Sequence, residues 1–171
     1  KNISMKLHNF LTKFGIYYAK RRYMPRGIDW LWDLKRQYES DGTDLVIFDI
    51  GANFGQTTTQ AIQYFPRAAF YAFEPICNTF ELLTQRFQKT AKVKTIHVAV
   101  SDSCGSVSIV ASSNSQLSHL VMDDTKSNLR DETLETVNTI TIDVYCERHG
   151  INHIDILKTD TEGHDLQVLK G

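Results

Sequence analysis

The feature that most constrains the fold is an alternation of short apolar runs with segments of helical length. Residues 45–50 and 69–73 are short, nearly continuous apolar runs, a pattern typical of strands buried on both faces of a parallel sheet, and residues 93–100 are predicted to be a third strand. Residues 54–65 and 78–89 separate these runs and are predicted to be helices. Because crossovers of this length join parallel strands, the succession predicts an α/β fold with a doubly wound, mostly parallel sheet.

Two later segments break this rhythm. Residues 105–111 and 137–142 alternate apolar and polar side chains with the two-residue period of half-exposed strands. This pattern predicts that the two segments pair as antiparallel neighbours. The sequence therefore predicts a β-hairpin inserted into the parallel architecture.

The carboxyl-terminal part returns to the parallel pattern. A short helix capped by Asp143 and ended by Gly150 is expected to lead into a strand over residues 154–158 and a last helix over 164–171. A fourth parallel strand without an outer neighbour would expose a long apolar edge, which native folds avoid. We therefore expect a chain that is truncated at its carboxyl terminus, with further strands of the domain missing.

The amino-terminal segment differs in charge from the rest of the chain. Basic residues outnumber acidic ones up to Tyr38, although the formal net charge of the whole chain is −1. Apolar residues recur there at helical spacing, so the basic side chains are expected on solvated faces of amphipathic helices. Nucleic-acid binding is not expected, because no recognition fold accompanies the basic residues. The predicted domains are a helical segment over 1–44 and the sheet domain over 45–171.

Composition argues against several classes of protein. No apolar run is long enough to span a bilayer, and the first residues lack the layout of a secretory signal, so a cytoplasmic location is expected. Cys77, Cys104 and Cys146 are widely spaced and odd in number, which argues against a disulfide framework and against a CxxC metal site. His97 and the other histidines show no zinc-binding spacing. No metal site is predicted.

The segment FDIGANFGQTT, residues 48–58, joins the first predicted strand to the next helix. A glycine-rich bend there lies at the carboxyl edge of a parallel sheet, where such folds bind their ligands. Its G-x-x-x-G spacing departs from the dinucleotide fingerprint, and Asp49 places negative charge beside the bend, which disfavours a pyrophosphate. Glu74 ends the second strand, where a carboxylate can accept both hydroxyls of a ribose. Together these features indicate S-adenosylmethionine.

The chain resembles the FkbM-type S-adenosylmethionine-dependent methyltransferases from about Leu45 to its end. The resemblance is carried by FDIGANFGQTT, YAFEP, AVSDSCGSVSI and ITIDVYCERHGINHIDILKTDTEGHDLQVLKG, in that order. It implies a class I, Rossmann-like methyltransferase fold with strand order 3-2-1-4-5-7-6. It also implies O-methylation of a hydroxyl on a sugar or polyketide-like natural product, so the expected partner is a small-molecule acceptor. A homo-oligomer is left open.

By position, the resemblance also implies a set of cofactor-binding residues. These are Asp49, Gly51, Ala52, Asn53, Gly55 and Thr57 in and after the loop, Glu74 at the ribose, and Ser101 with Asp102 near the adenine.

The family's active-site turn falls on the segment Asp160-Thr161-Glu162-Gly163. An alcohol must lose a proton as it is methylated, so a nearby base assists the transfer. The catalytic candidates are Asp160, Glu162 and His164, with Asp160 facing the methyl group and Glu162 or His164 assisting. The alternative for His164 is a surface position in the first turn of a helix. The acidic turn lacks EF-hand spacing, so no metal dependence is predicted.

Two other functions share these sequence features. A nicotinamide-dependent dehydrogenase would also have the strand, the glycine bend and the ribose acid. A catalytically silent, methyltransferase-like binding module would instead use its basic amino-terminal helices to dock on a partner or on anionic lipid. The sequence does not identify the methyl acceptor.

Overall fold

The computed structural model describes residues 25–38, 44–112, 119–120 and 132–171. The chain divides into two units, residues 1–41 and residues 42–171. In the first unit, helix α1 (Trp30–Tyr38) begins after Asp29, whose carboxylate accepts the backbone N–H of Trp32 at 3.0 Å. The helix predicted at the beginning of the chain lies outside the described residues. The domain boundary expected between residues 44 and 45 stays a prediction.

The second unit contains two sheets and four described helices. Its elements are, in chain order, β1 (Val46–Ile50), α2 (Gln56–Tyr64), β2 (Ala69–Phe73), α3 (Cys77–Phe87), β3 (Val93–Ile96), β4 (Ala99–Val100), β5 (Gly105–Ser112), β6 (His119–Leu120), β7 (Glu132–Ile140), α4 (Ile142–His149), β8 (Ile156–Thr159) and α5 (Asp165–Val168). No helix in the described parts of the chain has both the length and the apolar character needed to cross a membrane.

The first sheet is parallel and has the strand order β3-β2-β1-β8. This arrangement confirms the predicted α/β fold. With β8 as the fourth parallel strand, the order also agrees with the 3-2-1-4 part of the implied methyltransferase order. Parallel strands place their carboxyl ends at one edge of the sheet, so the segments that follow β1, β2 and β8 meet there.

The second sheet has the strand order β4-β7-β5-β6. Strands β5 and β7 pair antiparallel from Gly105 opposite Thr139 to Ser112 opposite Glu132, which confirms the predicted hairpin. The prediction of a single strand over residues 93–100 is wrong. The chain leaves the first sheet after Ile96 and pairs with β7 from Ala99 onward. One predicted strand is therefore two strands in different sheets.

The predicted cap of α4 is also wrong. Strand β7 ends at Ile140, so the helix begins earlier than expected and Thr141 occupies the N-cap position. The Thr141 hydroxyl accepts the backbone N–H of Val144 at 3.1 Å, while Asp143 lies in the first turn. Gly150 ends the helix in the left-handed conformation, as predicted.

In the described part of the chain, one buried core cluster contacts both sheets and α4. Tyr145 of α4 packs edge-on against Phe48 of β1 and Phe73 of β2, with ring centroids 6.0 and 4.8 Å apart. Val100 and Val168 belong to the same buried cluster. Because this core contacts both sheets, it holds the carboxyl edge of the parallel sheet against the second sheet.

Candidate cofactor and active site

The glycine-rich loop between β1 and α2 uses its own backbone N–H groups internally. The acceptors are the Phe73 carbonyl for Gly51 and Ala52, the Glu74 carboxylate for Asn53, the Asn53 side chain for Phe54, and the Ala52 carbonyl for Gly55. All five consecutive N–H groups therefore have partners within the protein. A phosphate-binding loop needs such groups free to face the ligand, so this loop is not built for a pyrophosphate.

Two glycines allow the loop to lie very close to its neighbours. Gly51 has a φ of 71°, and a Cβ there would collide with the carbonyl oxygen of Asp160. Gly55 has a φ of 78°, and a Cβ there would collide with Leu83 and Phe87 of α3. Both positions require glycine for the backbone conformation and for the space. Gly51 thus joins the loop to the turn after β8, whereas Gly55 packs the start of α2 on α3.

Glu74 is the buried carboxylate of the site. It follows β2, is 5% exposed and lines a cavity at the carboxyl edge of the sheet. Its Oε2 accepts the N–H of Asn53 at 2.9 Å and its Oε1 accepts the N–H of Ile76 at 3.1 Å. Burial raises the pKa of Glu74, although these two N–H groups act against the shift. Each oxygen keeps a second lone pair, so the carboxylate can accept two further hydroxyls.

Lys158 of β8, which was not among the predicted site residues, lies between two acids of the site. Its Nζ forms an ion pair with Asp49 at 3.0 Å, lies 3.7 Å from Oδ2 of Asp160 and donates to the Gly51 carbonyl at 3.0 Å. Asp49 is buried and also accepts the Thr58 hydroxyl at 2.6 Å. The signal for Lys158 was a lysine inside a strand predicted to be buried, where an ammonium group needs partners.

The turn after β8 carries the three catalytic candidates. Asp160, Glu162 and His164 all line the cavity. The side chain of Asp160 is 70% exposed, and Glu162 has a φ of 51°. A non-glycine residue with this φ costs on the order of 1–3 kcal/mol, and it persists where the surrounding structure holds it.

Asp165, at the start of α5, holds this turn in place. Its Oδ1 accepts hydrogen bonds from the Thr159 hydroxyl, from the Thr161 N–H at 3.0 Å and from the Thr161 hydroxyl at 2.9 Å. These bonds, with that from Thr159 as the largest cause, hold the pKa of Asp165 below its usual range. Asp165 therefore anchors the turn that presents Asp160 and Glu162.

His164 is buried, contrary to the surface position considered from the sequence. It is 7% exposed, and its Nε2 lies 3.0 Å from Oγ of Ser101, which is also buried. Burial lowers the pKa of His164, against the opposing effect of the Asp102 and Asp165 carboxylates. The Ser101–His164 contact links the end of β4 to the active-site turn.

The cavity brings together half of the residues expected from the sequence. Of those, Gly51, Asn53, Glu74, Asp160, Glu162 and His164 line it. Outside the lining lie Asp49, Ala52, Gly55, Thr57, Ser101 and Asp102. The cavity also has an apolar wall that was not predicted from the sequence and that includes Ile76, Val98, Ala99 and Ile109. Ile109 comes from the second sheet, so its place in the cavity depends on tertiary packing that no local pattern reveals.

Comparison with known protein families gives a match for most of this sequence. Residues 49–171 match the family described as the Methyltransferase FkbM domain. The chain belongs to the FkbM methyltransferase family. This membership confirms the resemblance carried by the motifs, and methyltransferases of this family generally use S-adenosylmethionine.

Three curated proteins similar to this FkbM chain carry methyltransferase names. They are the hexuronic acid methyltransferase AglP of Haloferax volcanii (30% identical over 129 residues), the methyltransferase sdnD of Sordaria araneosa (26% over 153) and the 2-O-methyltransferase NoeI of Sinorhizobium fredii (26% over 140). The matches cover 75%, 73% and 75% of this chain but 50%, 59% and 57% of the relatives. The chain thus spans little more than half the length of these relatives. No solved structure matches it.

Proposed function

We propose that the protein is an S-adenosylmethionine-dependent O-methyltransferase that acts on a hydroxyl of a sugar or polyketide-like natural product. Family membership supports methyl transfer. The names of two relatives, a hexuronic acid methyltransferase and a 2-O-methyltransferase, support a sugar hydroxyl as the acceptor. The observation that carries the proposal is the Glu74 carboxylate, which two backbone N–H groups hold at the cavity with a lone pair of each oxygen left for a ribose.

The chemistry of the cavity fits S-adenosylmethionine better than a dinucleotide. Glu74, Asp160 and Glu162 contribute three carboxylates to the lining, which in the described part of the chain contains no lysine or arginine. Carboxylates attract a positively charged sulfonium and repel a pyrophosphate. The apolar wall suits the flat adenine ring. This donor set argues against the nicotinamide-dependent alternative.

The cofactor supplies a methyl group on a good leaving group, so the protein mainly has to position the acceptor and remove a proton. We assign that proton to the exposed Asp160, whose carboxylate can reach an acceptor hydroxyl entering the cavity. Nζ of Lys158 lies 3.7 Å from Oδ2 of Asp160 and attracts this carboxylate electrostatically. Glu162 and His164 assist. Since burial lowers the pKa of His164, its ring is neutral at pH 7 and one ring nitrogen carries no proton.

The cofactor domain over 45–171 and the cytoplasmic location are parts of the same proposal. The first rests on the motifs from residue 49 onward, which the family match also covers. The location follows from the sequence expectation alone, and fractionation of the producing cells tests it.

Calorimetry with S-adenosylmethionine and its demethylated product tests the proposal. Glu74→Gln is expected to weaken binding at least about tenfold, because an amide offers one acceptor oxygen where the carboxylate offers two. Glu81→Gln changes an exposed glutamate of α3 and is the matched control, expected to bind like the parent.

The proposal fails if the folded parent protein binds neither compound, or if Glu74→Gln binds as tightly as Glu81→Gln. Titration with NADH provides the comparison with a dehydrogenase. Tighter binding of NADH than of S-adenosylmethionine would favour that function instead.

A further inference from the structure

Three metal-ligating side chains from distant parts of the chain meet outside the cavity lining. Cys77 begins α3, His97 lies between β3 and β4, and Glu135 belongs to β7. One ligand atom from each residue lies within 4.8 Å of the other two. Cys77 and His97 are exposed and Glu135 is partly buried, so a cation in solution can reach the group. We propose that these residues form a site for a thiophilic divalent cation, and that the cation is zinc.

The carboxylate of this cluster is already fixed beside the thiol. Both oxygens of Glu135 accept the backbone N–H of Cys77, at 3.0 and 3.3 Å. A carboxylate has about four lone-pair sites, so this bond leaves acceptor capacity for a cation. It also ties the second sheet to the first turn of α3. The carboxylate therefore needs little reorganisation to bind a cation.

The imidazole of His97 is oriented by two contacts. Its Nε2 lies 2.9 Å from the carbonyl oxygen of Pro75, and its ring stacks on Phe80 with centroids 4.6 Å apart and planes 11° apart. In the tautomer that donates from Nε2 to this carbonyl, Nδ1 keeps a lone pair for a metal. Histidines that bind metals usually donate their other N–H to a carbonyl or carboxylate in this way. The Pro75 and Phe80 contacts hold the ring in place without using Cys77 or Glu135.

The ligand types favour zinc over the harder cations. Thiolate, imidazole and carboxylate are the three side-chain ligands of zinc, with bonds of roughly 2.0–2.3 Å. Magnesium and calcium prefer sites made of oxygen atoms alone. Tetrahedral ligands with such bonds lie roughly 3.3–3.8 Å apart, so ligand atoms within 4.8 Å of each other need to approach by about 1 Å. Three protein ligands leave the fourth position to water, and binding displaces the thiol proton.

The position of the cluster connects it to the cofactor cavity. Pro75 and Ile76, which precede Cys77, line the cavity, as do Val98 and Ala99, which follow His97. A cation held by Cys77, His97 and Glu135 would fix both of these segments and cross-link the two sheets. Zinc is therefore expected to raise the melting temperature of the protein as well as to bind it.

Titration of the purified protein with zinc and with cobalt tests the site. We expect one zinc ion per chain, and a cobalt complex whose spectrum contains a thiolate-to-metal charge-transfer band. Cys77→Ser is expected to abolish this band and to weaken zinc binding at least about tenfold, and His97→Ala and Glu135→Gln to weaken it by a similar factor. Cys104→Ser removes another exposed thiol and is the matched control, expected to bind both ions like the parent.

Several results would overturn the proposal. One is zinc binding that the Cys77→Ser, His97→Ala and Glu135→Gln variants retain at parental affinity. Another is loss of the cobalt band in Cys104→Ser. A third is the absence of binding at about 100 μM zinc, a concentration well above the dissociation constants of structural zinc sites. Glu135→Gln keeps an oxygen that can accept the Cys77 N–H, so it separates loss of the ligand from loss of the fold. None of these measurements depends on methyl transfer, so the result is independent of the proposed enzymatic activity.

Discussion

The two ends of the cavity are built differently. At the end proposed to bind the ribose, Glu74 is 5% exposed and each of its oxygens accepts a backbone N–H. At the end proposed for methyl transfer, the Asp160 side chain is 70% exposed and lies 3.7 Å from Lys158. The first end is fixed by the fold before any ligand arrives. The second presents a carboxylate that is mostly exposed to solvent.

This difference separates two kinds of function in one cavity. A rigid carboxylate suits a cofactor that is the same in every reaction, because preorganised groups lose little freedom on binding. An exposed carboxylate on a turn suits an acceptor whose identity varies among related enzymes. The two ends nevertheless touch, because the Gly51 backbone packs against the carbonyl of Asp160. Variants at the contact and at each end can test whether the distinction is real.

Gly51→Ala should have the largest effect, since it forces the two ends apart. The new Cβ combines a left-handed backbone with a collision against the Asp160 carbonyl, and we expect a loss of about 4 kcal/mol in the free energy of unfolding. Cofactor binding should be lost with it. Denaturant unfolding and calorimetry measure the two effects.

Gly150→Ala is the matched control for this variant. Gly150 has a φ of 65°, and a Cβ there would meet nothing within 4 Å. It should therefore show only the backbone strain, about 1–2 kcal/mol, with cofactor binding unchanged. Equal losses in the two variants would mean that the contact between loop and turn contributes nothing.

Asp160→Asn should separate the two ends rather than damage both. Because an amide cannot take the acceptor proton, we expect the rate of methyl transfer to fall about 100-fold or more. Affinity for S-adenosylmethionine should fall less than in Glu74→Gln, because the variant leaves Glu74 in place and removes only one of the three cavity carboxylates. Transfer of labelled methyl to sugar acceptors, hexuronic acids first, measures the rate.

Asp143→Asn alters an exposed aspartate of α4 and is the control for Asp160→Asn, expected to react at the parental rate. An Asp160→Asn variant with unchanged transfer would remove this residue from the proposed mechanism. A parent that binds the cofactor but methylates no acceptor would favour the catalytically silent binding module.

The fold was predictable wherever local pattern decides structure. Strand β2 was predicted at its observed bounds, because burial and hydrophobic period can be read from the sequence. The helices were predicted in the right places and differ from the prediction only at their ends. The division after Ile96 could not be read this way. Residues 93–100 contain no glycine, proline or other turn residue, and only the pairing with β7 shows that their last part belongs to another sheet.

The site followed the same rule. Glu74 could be placed because it ends a strand at the ligand edge of the sheet, a position that topology fixes. The contacts of Asp49 and Ser101 could not be predicted. Their partners, Lys158 and His164, each lie more than 60 positions further along the sequence. Contacts between distant segments are set by tertiary packing, which leaves no local signal.

The smallest predicted effect concerns His164, the buried group at the otherwise exposed end. Burial holds its folded pKa below the usual value near 6.5, so at acidic pH the unfolded chain binds this proton more readily than the folded protein. The stability that His164 contributes is fully present above about pH 6.5, and it declines as pH falls toward the lower folded pKa. We expect a fall in melting temperature of the order of a few degrees across this range.

Comparison with His164→Gln isolates this contribution, because the variant cannot titrate and should show a flatter profile. Glu74 acts with the opposite sign, since its raised pKa makes stability fall as pH rises, but it is present in both proteins and cancels in the difference. His153→Gln removes an exposed imidazole that lies 3.4 Å from Asp155, and it shows how much of the parental profile comes from a histidine outside the cavity. If His164→Gln keeps the parental dependence of melting temperature on pH, the Ser101–His164 contact does not bury the ring in solution. Loss of the decline in His164→Gln would show that this ring is buried in solution, so that the proposed methyl-transfer end also contains a group fixed by the fold.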